Sequence, residues 1–310
     1  MTEQSKRQFI TSGGELPTDA LWFENAESNT TALGYGKFQL YSVDGDMDQW
    51  VVPNGVTSIS VIAVGAGGGA HSTSKGGCGG GALRWANNVS VTPGEVIKVR
   101  CGKQGTKHAT SPSDYGNNNW GGNTRNSSVR RANETTIICE AHSASSSGGT
   151  SGGTGENSTS SSGSGGGGGN LLTGAGGGAA GYSGNGGNGG QAAPTHNTGS
   201  GGTVGTNASG GGGGGGGGTR SLWSQFDGGE VYLWSEGDSG AGGAINNQGG
   251  VGSQTGTGST NPPQFCRGGG GGSNGNDTWG QQNPGKHGAI RIVWPGDTRQ
   301  FPNTNVDYPL

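Results

Sequence analysis

The side chains that most often carry out chemistry are spread widely along this 310-residue sequence. The five histidines, His71, His108, His142, His196 and His287, are dispersed and show no pairing with carboxylates. A histidine that acts as a general base normally needs a partner that orients it and tunes its pKa. The phosphate-cradling motif G-x-x-x-x-G-K-[ST] does not occur either. These residues predict neither a catalytic site nor a cofactor.

One short segment does contain the residues of a nucleophilic site. Gly237-Asp238-Ser239-Gly240 resembles the nucleophile segment of trypsin-like proteases, and His142 precedes it in the chain. The remaining sequence features of that fold are missing, and a glycine-rich chain produces such matches by composition. Paired catalytic carboxylates of the kind that glycosidases use are not visible. We therefore expect no enzyme activity.

Metal-binding patterns are incomplete. Asp44, Asp46 and Asp48 alternate like the start of a calcium loop, but Gln49 and Gly55 stand where the loop requires Gly and Glu. We expect a solvated turn there and no metal. The cysteines include no C-x-x-C pair, which argues against a zinc site; they are Cys78, Cys101, Cys139 and Cys266.

Cys101 and Cys139 lie in apolar runs and are predicted to be small buried hydrophobic residues. The sequence leaves the disulfide state of all four cysteines open. Disulfides are not the default in a reducing compartment.

Aromatic and arginine side chains between glycine segments are the best candidates for binding, because loops can present them without disturbing the scaffold. Such loops span residues 191–197, 223–234 and 265–267. An alternative is that Trp223 and Trp234 cap the glycine-rich region or rest on a sheet. The predicted receptor-binding residues are His196, Trp223, Phe226, Tyr232, Trp234, Phe265, Arg267 and Trp279.

The composition is far from that of an ordinary globular enzyme. Gly accounts for 76 of the 310 residues, hydrophobic residues for 26% and charged residues for 12%. Hydrophobic and charged residues are each at about half the usual share. Few residues remain to build an α/β enzyme core, and charges are too few for a charge-driven disordered tail.

Charge and hydropathy give no sign of a nucleic-acid or membrane partner. The net charge is −3, whereas nucleic-acid binders and membrane-surface proteins are usually basic. No apolar run approaches the 18 or so residues of a membrane-spanning helix. The first ten residues lack the apolar region of a secretory signal. These features predict assembly in a cytoplasm, without membrane insertion.

Residues 49–142 are predicted to form an antiparallel β-sandwich, jelly-roll-like, because short apolar strands alternate with Pro-Gly and Asn-Gly turns. Residues 56–64 suit a central strand. Leu83, Trp85, Val89 and Val91 share one parity in the next strand, with Arg84 opposite. Further on, Ile97, Val99 and Cys101 alternate with Lys98 and Arg100.

The rest of the chain divides into three parts. Residues 1–48 are an N-terminal attachment segment, which docks either along another subunit or along its own sheet. Residues 143–285 are glycine-rich, interrupted by an aromatic island at 220–234. In residues 286–310, Ile290, Ile292 and Trp294 alternate with Arg291 and Val293, followed by a C-terminal tail. We infer that this strand pairs back with the 49–142 sheet, so the glycine tract is an insertion.

The glycine tract needs an unusual source of order. Between positions 148 and 218, 34 of 71 residues are Gly, and the sizeable apolar side chains are only Leu171, Leu172, Tyr182 and Val204. Extended left-handed helices with three residues per turn make no internal hydrogen bonds. Glycine-rich helices of this kind can pack at backbone distance and bond laterally. We predict such a polyglycine-II/polyproline-II bundle, with little or no α-helix, and expect larger residues within 211–218 to destroy folding. Disorder is a rival; collagen, also considered, requires a strict Gly period and abundant Pro.

Several segments resemble glycine-rich proteins of tailed-bacteriophage particles. Residues 52–59 running into 64–69 look like the opening of the glycine-rich domain of these proteins, and residues 91–95 and 102–105 resemble its second hairpin. Residues 288–294 with 299–302 are similar to the close of glycine-rich virion proteins, notably of cyanophages. The receptor-recognising adhesins of T-even long tail fibres share the idea of packed glycine helices bearing variable loops. The resemblance covers roughly residues 50–105 and 265–302.

The resemblance implies a bacteriophage virion protein. The first hypothesis is a non-catalytic tail fibre or adhesin, whose loops recognise a glycan or an outer-membrane protein on the host surface. The second is a structural decoration or connector protein of the capsid, neck or baseplate that contacts only other subunits. In either case the partners are other virion proteins, reached through residues 1–48, and the location is the virion, assembled in the host cytoplasm.

Overall fold

The computed structural model describes residues 22–23, 38–41, 47–68, 79–103, 126–144, 155–156, 175–190, 228–233, 235–236, 266–267 and 286–306. These residues contain strands and one short 3-10 turn, Thr304–Val306, but no α-helix. The described part of the chain is therefore all-β, as the sequence predicts. The strands are β1 (Trp22–Phe23), β2 (Phe38–Tyr41), β3 (Met47–Val51), β4 (Ser58–Val64), β5 (Leu83–Ser90), β6 (Val96–Arg100), β7 (Ser127–Arg131), β8 (Ile137–Ala141), β9 (Gly155–Glu156), β10 (Val231–Tyr232), β11 (Cys266–Arg267) and β12 (Ala289–Val293).

The strands form two five-stranded antiparallel sheets and one two-stranded pair. The first sheet has the order β1-β2-β12-β4-β5, the second has the order β3-β6-β7-β8-β9, and β10 pairs with β11. In the first sheet, β12 pairs with β4 in the register Ala289↔Val64 to Val293↔Ser60. The predicted return of the last strand to the sheet of residues 49–142 is thus confirmed.

The N-terminal segment adds strands to its own sheet. β2 pairs antiparallel with β12, in the register Ile290↔Tyr41 to Val293↔Phe38, and β1 pairs with β2. Of the two possibilities that the sequence left open for residues 1–48, the described strands take the chain's own sheet.

The inner strands β4 and β12 of the first sheet are buried on both faces, which explains the nearly continuous apolar run of β4. Every residue of β4 and of β12 is buried. One face belongs to a first cluster, which takes side chains from both five-stranded sheets; its members include Trp50, Ile59, Val61, Ile97, Val99, Val129, Cys139, Ile290 and Ile292. The other face belongs to a second cluster, which includes Ile62, Val64, Leu83, Tyr182, Leu233, Val293, Phe301 and Val306.

A β-bulge in β5 overturns the predicted single parity of that strand. Ile59 pairs with Val89 and Val61 pairs with Ala86, so Asn87 and Asn88 together oppose one residue of β4. Asn88 has a φ of 50°, a left-handed conformation that Asn tolerates better than most residues. Because the extra residue reverses the alternation, Leu83 packs in the second cluster while Val89 packs against the first.

The faces that the sequence predicts for β6 and β12 are confirmed. Ile97, Val99 and Cys101 lie in the first cluster, as do Ile290, Ile292 and Trp294. Cys101 and Cys139 are buried, as predicted, and burial raises the pKa of the Cys139 thiol to about 12. That thiol stays protonated and unreactive at neutral pH.

Candidate functional site

The two ends of the strands in the five-stranded sheets are built differently. At one end, conventional turns join the strands, with Gly55 and Gly94 at φ values of 80° and 83°. At the other end, β4, β6 and β8 finish and β5, β7 and β12 begin. There the strands continue into glycine- and alanine-containing segments. We call residues 65–68, 79–82, 101–103, 142–144 and 286–288 the glycine end.

Backbone hydrogen bonds join the segments of the glycine end at intervals of three residues. The amide of Gly65 donates to the carbonyl of Ala82 at 2.8 Å, and the amide of Gly68 donates to that of Gly79 at 3.1 Å. Between them, Gly67 donates to a different segment, at the carbonyl of Lys286. A strand would instead bond on alternate residues, so these segments have left β geometry.

Part of the inserted tract has the same three-residue spacing. Within residues 175–190, the amides of Ala175, Gly178 and Gly181 donate to the carbonyls of Gly190, Gly187 and Gly184 at 3.1, 2.8 and 2.9 Å. The donors advance by three while the acceptors retreat by three. Two antiparallel arms of the chain are therefore joined at every third residue.

Three successive amides of this tract bond to three different parts of the chain. Gly178 donates to Gly187, Ala179 donates to Gly229 and Ala180 donates to Gly81, at 2.8, 2.9 and 2.9 Å. In an extended helix with three residues per turn, successive N–H groups point about 120° apart. This segment is thus bonded on three sides by backbone alone.

The packing around residues 177–179 excludes any side chain at several glycines. A Cβ on Gly80, Gly186 or Gly228 would lie 2.0, 2.2 or 1.9 Å from a carbonyl oxygen of Gly178 or Gly177. Alanine occurs instead at positions 179 and 180, whose methyl groups belong to the second cluster. Glycine here provides the close approach of backbones rather than flexibility.

The C-terminal residues fasten this tract to the first sheet. We call residues 294–306 the C-terminal hook. Its Phe301 ring lies 6.4 Å from the ring of Tyr182, and its backbone is held at the β5 bulge, where Asn87 Nδ2 donates to the Phe301 carbonyl at 2.7 Å and Asn87 Oδ1 accepts from the Phe301 amide at 2.9 Å. The amide of Glu236 donates to the carbonyl of Pro302 at 2.8 Å.

Arg291 stands at the centre of this junction. Its guanidinium is fully buried on the second-cluster side of β12 and donates to the carbonyls of Leu233, at 2.8 Å, and Val306. Arg299 of the hook also donates to Val306. One buried side chain therefore joins the sheet, the inserted tract and the hook.

A polar network lies beside the glycine end, around Glu140 of β8. The carboxylate of Glu140 accepts from Arg130 and, at 3.2 Å, from Asn126 Nδ2. His142 Nε2 lies 3.4 Å from the same carboxylate, so the predicted absence of histidine–carboxylate pairing was wrong. The alternation of a strand brings residues two apart onto one face, and this signal was present in the sequence.

The order of groups in this network does not fit nucleophilic catalysis. Ser128 and His142 both hydrogen-bond to Glu140, whereas a catalytic triad places the imidazole between the hydroxyl and the carboxylate. Burial alone would raise the pKa of Glu140, but the hydrogen bonds from His142, Arg130 and Ser128 and the charge of Arg130 outweigh it and lower that pKa to about 2. The network stabilises the fold with a carboxylate that is ionised at neutral pH.

Glu140→Gln should remove this stabilisation in a pH-dependent way. Since the folded pKa is below the ordinary value near 4.5, the carboxylate stabilises the fold fully above about pH 4.5 and loses this effect as the pH falls towards 2. Urea unfolding should show the variant less stable at pH 7 by on the order of 3 kcal/mol, with the gap closing near pH 2. The half-exposed Glu134, 3.7 Å from Lys98, is the control: Glu134→Gln should change stability by less than about 1 kcal/mol. A stability difference between the wild type and Glu140→Gln that stays constant with pH would contradict the lowered pKa of Glu140.

The sequence-predicted binding residues fall largely outside the described residues. His196, Trp223, Phe226, Trp234, Phe265 and Trp279 lie there, as do Asp44, Asp46, Ser239 and residues 211–218. Tyr232 is described: it lies in β10, is 8% exposed and packs in the second cluster. This burial favours packing over ligand contact for Tyr232. Arg267 belongs to β11, in register with Val231.

Sequence reasoning did not single out Arg291, Arg100 or Glu140 as functional residues, and it considered His142 only together with the segment Gly237-Asp238-Ser239-Gly240. Arg291 could have been found, because an arginine between two isoleucines in a predicted inner strand indicates a buried charge. Among the described residues, no group of three His, Cys, Asp or Glu side chains could hold a metal ion, and no helix there has the length and apolar character to cross a membrane. Comparison of the chain with protein-family models and with curated proteins finds no match.

Proposed function

We propose that the chain is a non-catalytic structural protein of a tailed-bacteriophage particle, and specifically a tail fibre or adhesin. In this proposal the two five-stranded sheets form a jelly-roll-like sandwich, and the inserted tract forms a bundle of polyglycine-II helices that continues from the glycine end. The observation that carries the proposal is the three-sided bonding of Gly178, Ala179 and Ala180 to separate parts of the chain.

The sandwich is supported by contacts between the two five-stranded sheets. The first cluster takes side chains from both of them. Trp50 of β3 and Trp294, just after β12, lie with ring centroids 5.5 Å apart. At the glycine end, Ser127 Oγ of β7 donates to the carbonyl of Val64 of β4 at 2.6 Å. Side chains and hydrogen bonds thus join the inner faces along their length.

The bundle is supported by the way one segment is surrounded. Residues 177–180 are bonded to, or in backbone contact with, residues 80–81, 186–187 and 228–229. Neighbours on three sides are what a lattice of three-residue-per-turn helices requires. The tract contains further long glycine runs at 165–169, 211–218 and 268–272, which would add more helices of the same kind.

The adhesin role follows from what such a scaffold can do. A bundle that is held by backbone bonds leaves the side chains of its connecting loops free to vary, so recognition can be placed there at no cost to the fold. The candidate loops carry Trp223, Phe226 and Arg267, which are residue types that anchor sugars and protein surfaces. The bacteriophage assignment rests on the sequence resemblance given above.

The test is competition for the host surface. Purified full-length protein should bind host cells and block adsorption of the phage whose particle contains it. Trp223→Ala with Phe226→Ala should weaken that block at least about tenfold, whereas Val51→Ala, at a residue that is 44% exposed in an edge strand, should not. Tight binding to another virion protein alone, with no effect on adsorption, would refute the adhesin and favour the connector or decoration alternative.

A further inference from the structure

One face of the second sheet contains a buried cation to which no carboxylate of the described residues is hydrogen-bonded. Arg100, the last residue of β6, is only 4% exposed, and its Nε makes no hydrogen bond. Burial lowers its pKa, which means that the surroundings disfavour its charge. A buried guanidinium is costly unless hydrogen bonds and an opposite charge compensate it.

The charges on this face do not balance among the described residues. Arg100 is in register with Ser128, and Ser128 with Glu140, while Lys98 is in register with Arg130. These pairings place all five side chains on one face of the sheet. The face therefore carries three cations.

The carboxylates near this face already have other partners. Glu134 lies 3.7 Å from Lys98, and Glu140 is paired with Arg130. Glu156 is in register with Glu140, which puts it three strand spacings from Arg100, or about 14 Å. That distance exceeds the reach of an ion pair. Among the described residues, Arg100 is therefore attracted by the charge of Glu140 alone, and Arg130 is already ion-paired with that carboxylate.

We propose that Arg100 is the centre of an anion-binding site that takes a carboxylate or phosphate group. A guanidinium offers parallel N–H donors that match the oxygens of such groups. His142 and Arg130, the partners of Glu140, have side chains that are 25% and 18% exposed. The ligand compensates the charge of Arg100 while Glu140 keeps its own partners. This site is independent of the adhesin role.

The test is anion-dependent stability of the full-length protein. Inorganic phosphate and acetate, each at constant ionic strength against chloride, should raise the thermal midpoint of the wild type. The rise should be about 3 °C at ten times the dissociation constant. Arg100→Met should abolish this rise. Arg131→Met, at a half-exposed arginine of the same sheet that pairs with Glu95, should retain it.

Two further measurements test the proposal. Arg100→Lys keeps the charge but loses the planar donors, so it should fold and show a smaller rise even where Arg100→Met does not fold. If the natural ligand is a polymer that carries carboxylates, an oligosaccharide with carboxylate groups should bind more tightly than acetate. If the natural ligand is a free ion, the oligosaccharide and acetate should bind equally. The same rise in wild type and Arg100→Met, or no rise in the wild type, would overturn the site.

Discussion

Gly228→Ala lowers the free energy of unfolding by at least about 3 kcal/mol, at the upper end of the cost of overpacking. The added Cβ would stand 1.9 Å from the carbonyl oxygen of Gly177 and 2.8 Å from the amide nitrogen of Gly178. Neither atom can retreat easily, because the Gly178 amide is bonded to Gly187 on another side. A main-chain shift that relieved the clash would break the adjacent bond from Ala179 to Gly229.

Gly55→Asn is the matched control for this loss. Gly55 has a φ of 80° and no atom within 4 Å of an added Cβ, and Asn is one of the residues that tolerate such a turn position. Urea unfolding of both variants should show a cost below about 1 kcal/mol for Gly55→Asn. Similar small costs for both would mean that the backbone contact at Gly228 is not tight.

Arg291→Met should cost about 3–5 kcal/mol and loosen the inserted tract and the hook together. Two buried carbonyls, those of Leu233 and Val306, lose a charged donor, and each such bond contributes about 1.5–3 kcal/mol. Met is close to Arg in length and apolar, so the loss reports the hydrogen bonds rather than a large cavity. Limited proteolysis should then cut the chain near residues 228–236 and near the hook before the first sheet unfolds.

Arg131→Met provides the comparison for this variant. Arg131 is half-exposed and pairs with Glu95 at 2.5 Å, a type of surface pair that contributes about 0–1 kcal/mol. Its removal should leave the proteolytic pattern unchanged. If Arg291→Met resembled it in both stability and cleavage, Arg291 would not be the junction described above.

Strands could be predicted from the sequence where the local pattern of apolar residues matches the burial of the strand in the fold. The apolar run of β4 and the alternation of Ile290 and Ile292 with Arg291 identify two strands that neighbour each other in the first sheet. Their pairing across more than 200 residues of sequence was inferable because the last strand had no closer partner. The three-residue spacing of the backbone bonds within residues 175–190 is compatible with the bundle that the composition predicts, and the bundle itself stays a prediction.

The rest depended on contacts between distant residues. The bulge at Asn87 and Asn88 reverses the faces of β5, and nothing in a period-two pattern marks the extra residue. The burial of Arg291 depends on its hydrogen bonds to the carbonyls of Leu233 and Val306. Leu233 is 58 residues away in the sequence, and Val306 lies 15 residues further on, beyond the end of β12. Tyr232 looked like a loop residue by composition, but its ring packs in the second cluster against the first sheet.

Amide hydrogen exchange at Gly178, Ala179 and Ala180 tests most directly whether backbone bonds hold the glycine segments to the first sheet. These amides donate to three different parts of the chain, so all three should exchange at least about 1,000-fold more slowly than in an unstructured peptide. The amides of β4 serve as the internal reference. Exchange of the three at unstructured rates, while β4 remains protected, would contradict the account.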